Sequence, residues 1–136
     1  GLGHLVGYPI LDLERIGVSL RDYIFSLEES VIRTVADYGI TAGRLEGATG
    51  VWIDPHTPRA RKICAIGVKA SHFVTMHGFA LNVTTDLNYF SHINPCGFTD
   101  KGVTSIERET GLKPSLEEVG QRFTAHFGEI LKIELK

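Results

Sequence analysis

Cys96 is the strongest candidate for a reactive side chain in this sequence. It stands between Pro95 and Gly97, which predicts an exposed turn and not a packed strand. The turn also offers backbone groups beside Cys96 where a developing oxyanion could bind. A lone cysteine is more often a small buried apolar residue, but this setting favours a nucleophile. A thiol with a pKa of about 8.5 is mostly protonated at neutral pH, so Cys96 needs a nearby cation or base.

Several residues could provide that cation or base: Lys62, Lys69, His77 and His92. His92 precedes Cys96 by four positions, but Asn94-Pro95 argues against a helix that would stack the two side chains. Residue types and spacing rank Lys62 and His77 equally. Most lysines are solvated surface residues, so the choice between these two stays open at this point.

Cys64 has a different setting from that of Cys96. It lies within the alternating apolar run Ile63 to Val68, which predicts a core residue. The chain has no CxxC, no HxxxH and no zinc-finger spacing, and no regular Gly-rich loop that precedes a helix. We therefore expect no metal site and no cofactor.

Length and composition predict one domain that spans residues 1–136. The formal net charge of −2 provides no general reason to expect nucleic-acid binding, and no apolar run is long enough to span a membrane. Two cysteines do not make a disulfide framework, which indicates a reducing compartment. The loop from Pro58 to Lys62 is basic, and it would suit the docking of a substrate that arrives on an acidic carrier.

Hydrophobic periodicity predicts a strand at Leu5–Leu11 and a helix from Ser19, its N-cap, to Tyr38, with Gly39 as the stop signal. The apolar stripe of that helix consists of Leu20, Tyr23, Ile24, Leu27, Val31, Val35 and Tyr38. A Gly-rich connection should follow at Thr41–Gly50. Further strands are expected at Val51–Ile53, Lys62–Lys69, His72–His77 and Gly78–Val83, with a hairpin loop at Asp54–Arg61.

The C-terminal part of the chain contains two capping-box patterns. Thr104 with Glu107 predicts a short helix that Gly111 ends, and Ser115 with Glu118 predicts a second helix. The buried face of the second helix should carry Leu116, Val119, Phe123 and Phe127, and a closing strand should follow at Glu129–Leu135. Hairpins and helices without regular βαβ alternation predict an α+β fold.

The segments KICAIGVK, VTMHGFALNV, DLNYF and INPCG resemble the signature of the lipoyl(octanoyl) transferases. Residues Leu5–Pro9 and Gly102–Ser105 also fit that family. The resemblance covers nearly the whole chain. It implies the biotin/lipoate protein ligase fold, a mixed, largely antiparallel sheet with flanking helices.

The same resemblance implies a two-step acyl transfer. The octanoyl group would pass from acyl carrier protein to Cys96, and then to a lysine of a lipoyl domain in a 2-oxoacid dehydrogenase or a glycine-cleavage protein. The paired lysine of the family falls on Lys62. The substrate-binding residues fall on Ala65, Ile66, Gly67, Gly78, Phe79 and Ala80, with His77 adjoining. A bacterial cytoplasmic location is the default expectation, with the mitochondrial matrix as the alternative.

Relatives in this family carry an upstream Arg-Gly-Gly stretch and a Thr-x-His-Gly-Pro-Gly-Gln motif. Gly1-Leu2-Gly3-His4 stands where the tail of that motif is expected, so we expect the N-terminal portion of the fold to be missing. Three other functions fit parts of the sequence: a non-catalytic module that binds lipoyl domains or acyl groups, an ATP-dependent lipoate ligase of the same fold, and a Cys-His hydrolase that uses His77.

Overall fold

The computed structural model describes residues 3–7, 17–67, 70–71, 74–75, 78–84 and 102–134. Five strands form the main path of a mixed sheet: β1 (His4–Gly7), β2 (Gly43–Leu45), β3 (Ala48–Ile53), β4 (Arg61–Ile66) and β7 (Phe79–Asn82). Their order across the sheet is β1-β7-β4-β3-β2. Their pairings are antiparallel, whereas β8 (Gly102–Val103) runs parallel to β4. The predicted α+β class, with a mixed and largely antiparallel sheet, is confirmed.

An irregularity in β4 decides which way its side chains point. Val51 pairs with Cys64, but its neighbour Trp52 pairs with Lys62, so Ile63 is an extra residue on β4. Such a bulge lets two successive residues point to the same side, and Ile63 and Cys64 are both fully buried. The bulge reverses the alternation beyond it, so Lys62 lies on the face of Trp52 and Arg61 pairs with Ile53.

Helix α1 (Leu20–Ala36) begins where the sequence predicts. Ser19 is its N-cap and accepts a hydrogen bond from the backbone N–H of Asp22 at 3.0 Å. Its C-terminal end is followed by Gly39 at φ 85°, a conformation that favours glycine. The stripe residues Tyr23, Leu27, Val31 and Val35 are fully buried.

The predicted N-cap of the first C-terminal helix is wrong. In α2 (Ile106–Thr110) the N-cap is Ser105, which accepts from the N–H of Arg108, and not Thr104. The hydroxyl of Thr104 instead donates to Glu109 at 2.6 Å. Gly111 ends α2 at φ 78°, as predicted.

Helix α3 (Leu116–Glu134) starts at the predicted cap, because Ser115 accepts from the N–H of Glu118. The closing strand at Glu129–Leu135 is wrong. Ile130 continues the helical spacing of Phe123 and Phe127 and is buried, so α3 runs on to Glu134. Leu116, predicted to be buried, is 39% exposed.

Helices α1 and α3 cover one face of the sheet. Phe79 on β7 packs against Phe123 on α3 with ring centroids 4.2 Å apart, and Tyr23 on α1 meets Phe127 edge-on. Val51, Cys64 and Leu81, which lie in one row across three strands, belong to the same core. The core therefore lies between the sheet and the two long helices.

The predicted Gly-rich connection at Thr41–Gly50 is wrong. The structure has a hairpin there, with β2 and β3 joined by a turn that contains Gly47 at φ 80°. Strand β4 starts one residue before the predicted Lys62 and ends at Ile66, with residues 68–69 outside the described part.

The predicted strand His72–His77 corresponds to a small hairpin. It pairs β5 (Ala70–Ser71) with β6 (Val74–Thr75), and residues 72–73 and 76–77 lie outside the described part. Strand β7 confirms the prediction at Gly78–Val83. Residues 8–11 of the first predicted strand are likewise not described. Among the described residues, every helix falls short of the length or the apolarity needed to cross a bilayer.

Candidate active site around Lys62

Lys62 lies on the sheet face opposite the helices, which we call the Lys62 face. Pairing places Trp52 on this face beside Lys62, and Ala65 beside Ala80. Ala65 is exposed, and Lys62 and Ala80 are half-buried. The Lys62 face is thus open to solvent at Ala65 and half-buried at the lysine itself.

The ammonium group of Lys62 is held by an aromatic ring. Its Nζ lies 5.0 Å from the centroid of the Trp52 ring, within the range of a cation–π interaction. Within the described part of the chain, this ammonium has no carboxylate partner. Its positive charge is therefore not neutralised by a neighbouring acid of the described residues.

The backbone around Lys62 is fixed by the segment after β8. The N–H of Thr104 donates to the carbonyl of Lys62 at 2.9 Å, and the Asn82 side chain donates to the carbonyl of Thr104 at 3.0 Å. Thr104 is fully buried. Buried hydrogen bonds of this kind hold a strand in one position, so the base of the Lys62 side chain is well defined.

Arg61 points to the other side of the sheet and is bound by two acids. Its guanidinium donates twice to Glu109, at 2.7 and 2.6 Å, and once to Asp54 at 2.9 Å. These donations hold the pKa of the Glu109 carboxyl below its usual range, an effect that outweighs the opposing effect of burial. Arg61 is therefore a structural cation that ties β4 to α2.

The ion pairs of Arg61 remove it from the docking patch predicted at the basic loop Pro58–Lys62. A surface depression is lined by Arg59, Arg61, Arg108 and Glu109. Of its three arginines, Arg61 already forms ion pairs with carboxylates. Arg59 and Arg108 are exposed and make no ion pair within the described part of the chain. At this depression, attraction for an acidic partner would come from Arg59 and Arg108. Arg108 was not predicted as part of this patch, because it lies far from the basic loop along the chain.

The predicted substrate-binding residues fall into two groups. Ala65 and Ala80 lie on the Lys62 face, and the N–H of Gly67 bonds to the carbonyl of Gly78 at 2.9 Å where the two strands separate. Ile66 and Phe79 instead pack their side chains against the core. Leu81 is also a core residue, so the side chains of Phe79 and Leu81 both point away from the Lys62 face.

Cys64 is confirmed as a core residue. Its thiol is free and fully buried, and burial raises its pKa far above that of an exposed thiol. Such a thiol is not a nucleophile at neutral pH. Cys96 and His77 lie outside the described residues, and the assignment of the nucleophile to Cys96 stays a prediction.

Comparison with known proteins decides the family. Residues 1–128 match the model of the lipoyl protein ligase A/B catalytic domain. The chain belongs to this family. It is similar to an octanoyltransferase of Bacteroides thetaiotaomicron, with 60% identity over 131 residues, covering 96% of this chain and 58% of the relative. The octanoyltransferase of Christiangramia forsetii is 53% identical over 137 residues, covering all of this chain and 58% of the relative.

Among solved structures, the fold is similar to that of the biotin protein ligase from Aquifex aeolicus. The TM-score is 0.76 at 19% identity, and the match covers 98% of this chain and 55% of that one. This likeness confirms the predicted biotin/lipoate protein ligase fold. The chain spans somewhat more than half the length of the curated relatives it matches.

Proposed function

We propose that this lipoyl protein ligase domain carries out octanoyl transfer from acyl carrier protein to lipoyl domains. The observation that carries the proposal is the match to octanoyltransferases at 60% identity across nearly the whole chain, which includes Lys62 and Cys96. The structure supports it by placing Lys62 on an accessible sheet face with no carboxylate partner among the described residues.

In the first step, the Cys96 thiolate attacks the thioester carbonyl of octanoyl-acyl carrier protein. The new carbon–sulfur bond forms as the bond to the carrier sulfur breaks, and the departing thiolate takes up a proton. The Lys62 ammonium favours the thiolate form of Cys96, because an adjacent cation stabilises the anion. It can then provide the proton to the leaving sulfur.

In the second step, the amine of a lipoyl-domain lysine attacks the Cys96 thioester. An amide forms, the carbon–sulfur bond breaks, and Cys96 is released. The amine loses one proton, which Lys62 in its neutral form accepts. A thioester is labile enough for aminolysis, so the reaction needs no ATP, no metal and no cofactor.

The acyl chain would lie against the Lys62 face beside Ala65 and Ala80. Burial of the chain contributes roughly 0.8 kcal/mol per methylene. At Gly67, a side-chain carbon would meet no described atom within 4 Å, so the backbone is open to a substrate there. The 2-oxoacid dehydrogenases and the glycine-cleavage protein are the proposed acceptors, and the bacterial cytoplasm is the proposed location.

Intact-protein mass spectrometry after incubation with octanoyl-acyl carrier protein tests the proposal. We expect the mass of one octanoyl group on the wild type and on Cys64→Ala, and none on Cys96→Ser. Lys62→Ala should acylate slowly. Absence of an adduct on the wild type would favour a binding module, and transfer that requires free octanoate and ATP would favour a lipoate ligase. A dyad of Cys96 with His77 would be indicated if His77→Ala, but not Lys62→Ala, slowed acylation.

A further inference from the structure

Trp52 has an unusual position for a tryptophan. It is 5% exposed, yet its indole N–H has no hydrogen-bond partner, the one such buried side-chain group among the described residues. Buried tryptophans usually place this N–H on an acceptor, and an unmade bond costs about 1–3 kcal/mol. A hydrogen bond from the indole N–H therefore does not explain why a tryptophan stands at this position. The remaining explanation is an interaction made by the face of its ring.

The face of the Trp52 ring lies under a cation. Lys62 Nζ is 5.0 Å from the ring centroid, and pairing of the two residues across β3 and β4 fixes this approach. Indole attracts cations more strongly than the other aromatic rings. Trp52 therefore attracts the ammonium group more strongly than phenylalanine would at the same position.

Gly50 provides the space through which the Lys62 side chain passes. A Cβ on Gly50 would lie 3.3 Å from Cε and 3.6 Å from Cδ of Lys62, and only 2.7 Å from the carbonyl oxygen of Cys64. Gly50 also has a φ of 125°, which other residues rarely adopt. Its N–H donates to the buried Glu28 carboxylate of α1, which fixes the glycine relative to the core. The lysine stem thus lies directly on the backbone.

The two contacts hold Lys62 without neutralising it. A carboxylate partner would fix the ammonium equally well, but it would offset the positive charge that a neighbouring thiolate needs. An aromatic ring carries no net charge, so it can fix the position of the ammonium and leave its charge available.

We propose that Trp52 is a positioning residue for the reaction, and that its ring face, together with the gap at Gly50, holds the Lys62 ammonium in its working position. This inference rests on the proposed octanoyl transfer. It assigns no direct contact with substrate to Trp52. Its effect on the rate must therefore pass through Lys62.

Kinetics of matched variants test this inference. Trp52→Phe retains a ring and removes the unpaired N–H, whereas Trp52→Leu removes the ring. We expect Trp52→Phe to stay within about threefold of the wild-type kcat, and Trp52→Leu to lose about tenfold in kcat with little change in KM. In a Lys62→Ala background, Trp52→Leu should cause no further loss in the residual rate of Cys96 acylation, because the two residues act as a unit.

A nuclear magnetic resonance measurement tests the contact without reference to catalysis. With 13C-labelled lysine, the Lys62 Cε protons should resonate upfield of the other lysines because of the indole ring current. The signal is assigned by its loss in Lys62→Ala. Trp52→Phe should retain part of the shift, and Trp52→Leu should abolish it.

Three results would overturn the inference: a Lys62 signal that Trp52→Leu does not move, equal losses of kcat in Trp52→Phe and Trp52→Leu, or an undiminished effect of Trp52→Leu without Lys62. Equal losses would assign the effect to the indole N–H. A wild-type protein that shows the shifted signal but no octanoyl transfer would refute the proposed function itself. That outcome differs from failure of the contact alone.

Discussion

Replacement of Gly50 by alanine should be among the most damaging single-methyl changes in the sheet. A side chain at φ 125° costs about 1–3 kcal/mol in backbone strain. The added Cβ would lie 2.7 Å from the carbonyl oxygen of Cys64, a backbone atom that can move only with β4. Overpacking of this kind typically costs about 1–3 kcal/mol more. We expect the free energy of unfolding to fall by roughly 2–6 kcal/mol.

Urea denaturation followed by tryptophan fluorescence measures this loss. Trp52 is the single tryptophan of the chain, so its emission reports directly on the strand beside Gly50. Gly47→Ala is the matched control, because Gly47 also has a positive φ of 80°, but none of the described atoms lies within 4 Å of an added Cβ. It should cost only about 1 kcal/mol. Equal losses in the two variants would refute the claim that contact with β4 makes Gly50 special.

Three further changes test other parts of the structure. Phe123→Ala should lower the free energy of unfolding by about 3–5 kcal/mol, as measured by urea denaturation, because it removes the ring that packs on the sheet. Glu109→Gln should cost about 1–3 kcal/mol at pH 7, because two hydrogen bonds from Arg61 lose their charged acceptor. The pKa of Glu109 is lowered by folding, so its contribution is present above the unfolded pKa of about 4.3 and is lost as the pH falls through the folded value. Denaturation at several pH values should show the wild type and Glu109→Gln converging in acid; a constant difference would contradict this reasoning. Arg59→Glu with Arg108→Glu should raise the KM for octanoyl-acyl carrier protein severalfold and leave transfer from a small octanoyl thioester unchanged; equal effects on both donors would dismiss the docking patch.

The sequence patterns predicted most elements that have a local signal. Ser19 and Ser115 each precede a clear helical periodicity, and both cap a helix as expected. The closing strand was wrong because apolar residues at the end of α3 suit a short strand as well as a helix. The β2–β3 hairpin was missed because its turn, Glu46-Gly47, lacks the asparagine or aspartate typical of such turns.

Only those residues of the candidate site that lie in a recognisable sequence motif were predicted. Lys62 and Cys96 were identified by their motifs, but Trp52 looked like an ordinary strand residue. Its contact with Lys62 depends on the register between β3 and β4, and a bulge changes that register. Local sequence patterns do not predict such a bulge. The bond between Arg61 and Glu109 was also not predictable, because it joins distant parts of the chain.

The bulge at Ile63 makes the position of Lys62 depend on how β3 and β4 pair, and not on residue type alone. If β3 and β4 paired without a bulge, Trp52 would pair with Ile63, and Lys62 would point with Cys64 into the core. Arg61 would turn away from Glu109 at the same time. Deletion of Ile63 itself would instead leave Lys62 opposite Trp52 and Arg61 opposite Ile53, and would remove only a buried side chain from the core.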